Sequence, residues 1–207
     1  MKHRPNTRAQ QTRERLRTAA YRLFLQQGYL ATSIDAILTE AGISSKETLY
    51  RHYANKEALF TDVLSHLTLE QPVFSQKLAA LPMPHDLPSL RQTLTQLSRE
   101  ILSMMSQPGY LLLVRMIIAE APRFPQLGIL FFSTVTRRGL AILSALLQEA
   151  REQEIIADVD FDAVTHTLLG GLLTYVIMNL VLGEEAHPPA LDHADAVVEV
   201  IMRALTP

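Results

Sequence analysis

Apolar residues recur at three- and four-residue intervals along nearly the whole chain, and no stretch sustains the strict alternation of a half-buried strand. That periodicity predicts an all-α fold of about nine helices. The first runs from about Thr7 to Gln27, with Leu16, Ala19, Ala20, Leu23 and Phe24 on one stripe and Gly28 as its stop. Thr32 or Ser33 caps a short second helix with Ile34, Ile37, Leu38 and Ala41 inward, ended by Gly42. A third short helix starts at Ser44 or Ser45 and carries Leu49, Tyr50 and Tyr53, and Asn55 caps a fourth. Pro72 ends or kinks that fourth helix, and Pro82, Pro84 and Pro88 mark a loop. Longer helices follow, from Leu90 to Met105, Tyr110 to Ala121, Gln126 to Gln153, after Asp160, and from Leu191 to Leu205.

The apolar share is 48% and the charged share 19%, which leaves no case for disorder and ample material for a core. With no cysteine, disulfides and thiolate metal sites are excluded, in keeping with a reducing cytoplasm. The N-terminus, Met1 to Gln11, is polar and basic with no apolar run behind it, against a secretory signal. Net charge is −2, but residues 1–60 hold ten Lys/Arg against five Asp/Glu, while residues 61–207 hold nine against sixteen. A basic end on an acidic body points to a polyanionic partner for the first sixty residues, the plainer reading being a solvated tail.

Two short helices joined through Gly42 describe a helix-turn-helix, whose second helix sets its N-terminal end against base edges in the major groove. Ser45, Lys46, Glu47 and Thr48 open that helix and are candidate base contacts. Tyr50, Arg51, His52 and Lys56 offer donors to phosphate oxygens, and Thr32 and Ser33 offer the same at the start of the second helix. A generic three-helix packing unit, with Tyr50 and Tyr53 as core aromatics, is the competing reading.

The run Thr32-Ser33-Ile34-Asp35-Ala36-Ile37, then Ala41-Gly42-Ile43-Ser44, Thr48-Leu49-Tyr50-Arg51-His52-Tyr53 and Asn55-Lys56-Glu57-Ala58-Leu59-Phe60 resembles the DNA-binding domain of the TetR/AcrR family over residues 10 to 64. Ala119-Glu120-Ala121-Pro122-Arg123-Phe124-Pro125 is similar to a segment in one subgroup of the family's C-terminal domains. Two features depart from the pattern: Leu38 stands where the family has a small residue, and the interval from Gly42 to Leu49 is one residue longer. Ser44, which makes a capping box with Glu47, therefore competes with Ser45 as N-cap. The resemblance implies a ligand-responsive repressor that binds double-stranded operator DNA as a homodimer, often at transporter or efflux genes. It implies a DNA-binding domain over residues 1–57 and a ligand-binding and dimerisation domain over 58–207, with the fourth helix transmitting the signal.

From Ala163 to Gly183, 21 residues pass without an acidic or basic side chain, about the length that spans a bilayer. Thr165, His166, Thr167, Thr174, Tyr175 and Asn179, the Gly170-Gly171 pair and the lack of basic flanks favour a buried helix instead, with no membrane partner. In the family the last two helices of each subunit form a four-helix bundle with their mates. Gly170 and Gly171 would allow close approach there, and Val197, Val198, Ile201 and Leu205 would supply the second helix's share. Met104, Met105, Met116, Phe131, Phe132, His166, Tyr175 and Asn179 are the candidate lining of a pocket for a small hydrophobic or amphipathic ligand, each singly being a plausible core residue. Asp162 with His166, and His187, Asp192, His193 and Asp195, are the only groupings that suggest a metal. Neither has a catalytic spacing, and there is no Gly-rich phosphate loop, Gly-x-Ser-x-Gly or His-Glu-x-x-His. The sequence therefore predicts no enzyme and no cofactor. The reading from another class is a helical ligand-binding or membrane-associated protein without specific DNA binding.

Overall fold

The computed structural model describes residues 8–68, 70–183 and 191–205. Within them lie ten helices and no strand, each π-helical segment being counted with the helix it continues. Four helices make a head: α1 (Arg8–Gln27), α2 (Ile34–Glu40), α3 (Lys46–His52) and α4 (Lys56–Leu67). Six make a body: α5 (Pro72–Ala79), α6 (Leu87–Met105), α7 (Pro108–Glu120), α8 (Gln126–Glu152), α9 (Phe161–Val181) and α10 (Asp192–Leu205). The tenth helix comes from the prolines. Pro72 opens α5 and Pro108 opens α7, because the first helical turn needs no amide hydrogen and suits the fixed proline φ. Pro88 likewise falls in the first turn of α6, whose N-cap Asp86 forms a capping box with Ser89.

Two hydrophobic cores result. Leu16, Ala20 and Phe24 of α1 meet Ile37, Leu49, Leu59, Phe60 and Leu64 in the head, all of them buried. The larger core lies among α6, α8, α9 and α10. Helix α7 serves both, because neighbouring positions on a helix point different ways. Its Tyr110 and Val114 belong to the body core, and its Leu113, Met116 and Ile117 to the head core. Leu127 and Val135 of α8 also enter the head core.

Polar groups close the frame. Asp62, buried in α4, accepts from the Tyr53 hydroxyl at 2.6 Å and from the Arg13 guanidinium at 2.5 Å, with Arg17 at 3.7 Å. In the body, Arg115 of α7 donates to the carbonyls of Leu180 and Val181, filling acceptors that the end of α9 leaves open. Arg91–Glu199 and the bidentate Arg99–Asp195 pair join α6 to α10 on the exposed surface, where each contributes little.

Helix α10 corrects an expectation from sequence. Val198, Ile201 and Leu205 turn inward against α6 and sit in the body core, so they are not surface residues of this helix. Val197 is half-buried, its side chain 3.3 Å from where a Cβ on Gly171 would lie, while Gly170 faces open space. The exposed stripe of α9 runs through Ala163, His166, Thr167, Thr174 and Met178, and α10 exposes Ala196, Val200 and Ala204. By length and composition, Gln126–Glu152 and Phe161–Val181 are each long and apolar enough to cross a membrane.

The Asp62 cluster yields a stability prediction. Asp62→Ala removes the close acceptor of the buried Tyr53 hydroxyl, leaving it the Arg13 carbonyl at 3.5 Å, and half-frees two guanidinium groups, so it is expected to lower unfolding free energy by roughly 2 kcal/mol, measured by urea denaturation.

Candidate functional site

The α2–α3 turn is built from three local devices. Gly42 takes φ +62°, a conformation only glycine adopts without cost. The Ile43 amide donates to the Leu38 carbonyl at 2.9 Å, closing the end of α2. Arg15 of α1 donates to the carbonyls of Ala41 at 2.5 Å and Gly42 at 3.0 Å, pinning the turn to the long first helix. Leu38 is buried and contributes to the head core.

Between the two possible caps of α3 the structure selects Ser45. Its backbone is extended and its hydroxyl makes no capping bond. From that start, Lys46, Glu47, Tyr50 and Arg51 are exposed, Ser45, Thr48 and His52 are half-buried, and Leu49 faces the core. Tyr50 is 52% exposed while Tyr53 is buried, which separates the two tyrosines whose roles the sequence left open. Lys46 reaches back to Asp35 at 2.8 Å, an exposed pair that keeps its ammonium charged and that phosphate can displace. Arg51 makes no ion pair among the described residues.

Ser33 accepts from the Ala36 amide at 3.1 Å as the N-cap of α2, and its side chain is exposed. Thr32 departs from expectation. It is buried, its hydroxyl donates to the Gly28 carbonyl at 2.7 Å and accepts from Gln27, so it holds the α1–α2 turn from inside.

Lys56 opens α4. Its ammonium sits 4.2 Å from the centroid of the Tyr29 ring, and burial holds it below the ordinary lysine value despite Glu120 and Glu57 nearby. Tyr29 in turn stacks on Phe124 at 5.6 Å and meets Phe60 edge-on at 5.0 Å. One residue on, the Leu30 amide donates to the Glu120 carboxylate at 2.9 Å. The segment Ala119 to Pro125 is thus a joint: its glutamate and phenylalanine grip the α1–α2 turn, directly behind the start of α4. Sequence periodicity carried no sign of this contact, since the partners are 90 residues apart.

In the body, the candidate pocket residues separate. Met104 and Met105 line a small cavity between α6, α7, α8 and α9, with Phe131 packed 6.1 Å from Tyr110 at its edge. Met116 is in the head core, and Phe132 is 45% exposed beneath the Arg137 guanidinium. His166 is exposed and bonds the Asp162 carbonyl, Asn179 is exposed and donates to the Tyr175 carbonyl, and Tyr175 stacks on His193 of α10 at 4.5 Å. His166 and Asn179 thus lie on exposed positions of α9 while Tyr175 is half-buried against the body core, because a helix apolar all round hides which side faces in. Ile101, Tyr110, Val135, Thr136, Gly139, Leu169 and Leu173 complete the cavity and were not among the expected lining. No group of three or more potential metal ligands occurs among the described residues, and His187 lies outside them.

The comparisons agree with this geometry. The profile of the bacterial regulatory proteins of the tetR family matches residues 16–63, and that of the AefR-like transcriptional repressor C-terminal domain matches residues 92–205. The chain belongs to the TetR family. As a TetR-family transcriptional regulator it is not an enzyme. A protein from Mesorhizobium loti MAFF303099, described as a TetR-family transcriptional regulator, is similar at 29% identity over 96% of this chain and 98% of its own, with a TM-score of 0.71. The flavonoid-responsive regulator FrrA is similar at 28% identity over 95% and 97%, with a TM-score of 0.73. No curated protein matches this regulator in sequence.

The joint can be tested directly. Gly28 has φ +87°, and a Cβ there would lie 2.0 Å from a Glu120 oxygen. Gly28→Ala is expected to cost about 1–2 kcal/mol from backbone strain alone. Added to Glu120→Ala, the same change should cost less than in the wild type. A double-mutant cycle in urea measures that coupling.

Proposed function

We propose that this regulator is a repressor that binds a palindromic operator in double-stranded DNA as a homodimer in the cytoplasm and is released by a small, largely apolar ligand. The observation that carries the reading is α3: a helix with Leu49 rooted in the core and Lys46, Glu47, Tyr50 and Arg51 presented outward on a turn braced by Arg15. Lys46, Glu47 and Thr48 at its start serve base edges, with Ser45 beside them. Tyr50, Arg51 and His52 serve phosphates, joined by Ser33. Lys56 acts from its seat on Tyr29 at the start of α4. Residues 1–57 form the reading domain in this scheme and residues 58–207 the regulatory one.

The dimer reading rests on the outer faces of α9 and α10. Gly170 opens onto space, and the neighbouring positions are small or apolar rather than charged. Two such faces from two subunits make a four-helix bundle, which also covers the apolar length of α9 that a bilayer would otherwise suit. Repression is supported by the AefR-like repressor profile over the body, and an apolar ligand by the similarity to a flavonoid-responsive regulator. By linkage, such a ligand must bind the DNA-free form more tightly.

The first test is anisotropy with the duplex upstream of the protein's own gene against random duplex at two salt concentrations. Preference for the upstream duplex is expected, and Arg51→Ala should weaken binding to both and lower the log–log salt slope by about one. Equal affinity for the two duplexes, together with no salt dependence, would sink the reading. In light scattering, Gly170→Phe is expected to run as a folded monomer, because an added Cβ at this position meets nothing within 4 Å in its own subunit.

A further inference from the structure

Three lysines lie among the described residues, and two of them are paired with a carboxylate. Lys46 meets Asp35 at 2.8 Å and Lys77 meets Glu100 at 2.7 Å. Lys56 makes no ion pair among the described residues. Its ammonium rests instead over the Tyr29 ring, 4.2 Å from the centroid.

This seat answers a local cost. Lys56 is the first residue of α4, where the positive end of the helix dipole disfavours a cation. Burial adds to that cost and holds the ammonium below the ordinary lysine value. The negative face of an aromatic ring offsets both. Tyr29 is also fixed in place: it is buried, stacked on Phe124 and packed at an angle on Phe24 and Phe60. Its hydroxyl makes no hydrogen bond among the described residues, so the ring rather than the oxygen is the working part.

A carboxylate would hold the lysine too, but it would cancel the charge and occupy N–H donors, as Asp35 does for Lys46. A ring face leaves the charge and the donors to a third partner. Without a seat, the four-carbon stem samples many rotamers, and that freedom is lost when the ammonium meets a phosphate.

We propose that Tyr29 is a positioning residue for DNA binding: its ring seats the Lys56 ammonium for contact with a backbone phosphate, while Tyr29 itself touches no DNA. The proposal rests on the DNA-binding reading above. Apparent affinity then follows the fraction of Lys56 seated on the ring. Phosphates are common to every sequence, so the ring governs affinity for any duplex and not the choice among duplexes.

Fluorine draws charge from an aromatic face and changes its shape little, which separates the seat from the packing. Tyr29→Phe, and the same variant with one, two or three fluorines on that ring, are compared in the full chain by anisotropy on upstream and random duplexes. Tyr29→Phe is expected to bind both as wild type does. Each fluorine should weaken binding to both, reaching about two- to fivefold with three. In Lys56→Ala, which should lower the log–log salt slope by about one, fluorination is expected to change nothing. Affinity indifferent to fluorine overturns the proposal. An equal dependence in Lys56→Ala also overturns it, because the ring would then act through packing. Tighter binding on fluorination does the same, since the ring would be withholding the lysine from DNA. A fluorine trend on both duplexes with neither preferred removes the operator reading and leaves the positioning role standing. Absence of binding to any duplex overturns both.

Discussion

One carboxylate sits where the head meets the body. Glu120, at the last turn of α7, accepts the Leu30 amide, and that amide belongs to the turn from which α2 and then α3 are hung. The bond would be weak in isolation, but Tyr29 beside it stacks on Phe124 and lies under the Lys56 ammonium. One aromatic ring thus touches α4, the α7–α8 loop and, through Phe24, α1. A shift of α7 along its axis has to strain this knot or carry the α1–α2 turn with it, because closely packed interiors do not deform smoothly.

The division of α7 between two cores makes such a shift consequential. Tyr110 and Val114 feel the contents of the body, whereas Leu113, Met116 and Ile117 sit among the side chains that support α2 and α4. Periodicity of 3.6 residues lets one helix serve both without a polar seam. Helix α4, the expected transmitter, contributes Leu59, Phe60, Val63 and Leu64 to the head core alone. In the structure α7 and the first half of α8 bridge the two cores.

Legibility in the sequence followed the range of the interactions. Ser33, Asn55 and Asp160 cap helices as their chemistry suggests, since each cap bond spans three residues. The prolines carry two meanings, because proline stops one helix and starts the next with equal ease, so the sequence around Pro72 holds no separate sign of α5. Exposure of Arg51 was legible from the placing of Leu49 on the opposite side of a short helix, whereas the facing of Lys46 and of Tyr50 was left open until the start of α3 and the head core were fixed. The partners of Lys46 and Lys56 were not, because Asp35 and Tyr29 meet them only after the head has folded.

On its own, the sequence determined the helical class, the helix-turn-helix and the basic head on an acidic body, because periodicity, caps and charge are properties of neighbouring residues. Tertiary structure alone decided which side of each apolar helix faces inward. Val198, Ile201 and Leu205 went to the core, and His166 and Asn179 to the surface. It also brought Tyr110 and Gly139 together around one cavity and set Glu120 on a turn 90 residues away. The physical reason is that burial of a helix face is set by the partner it packs against, and a helix apolar on every side holds no local record of that partner.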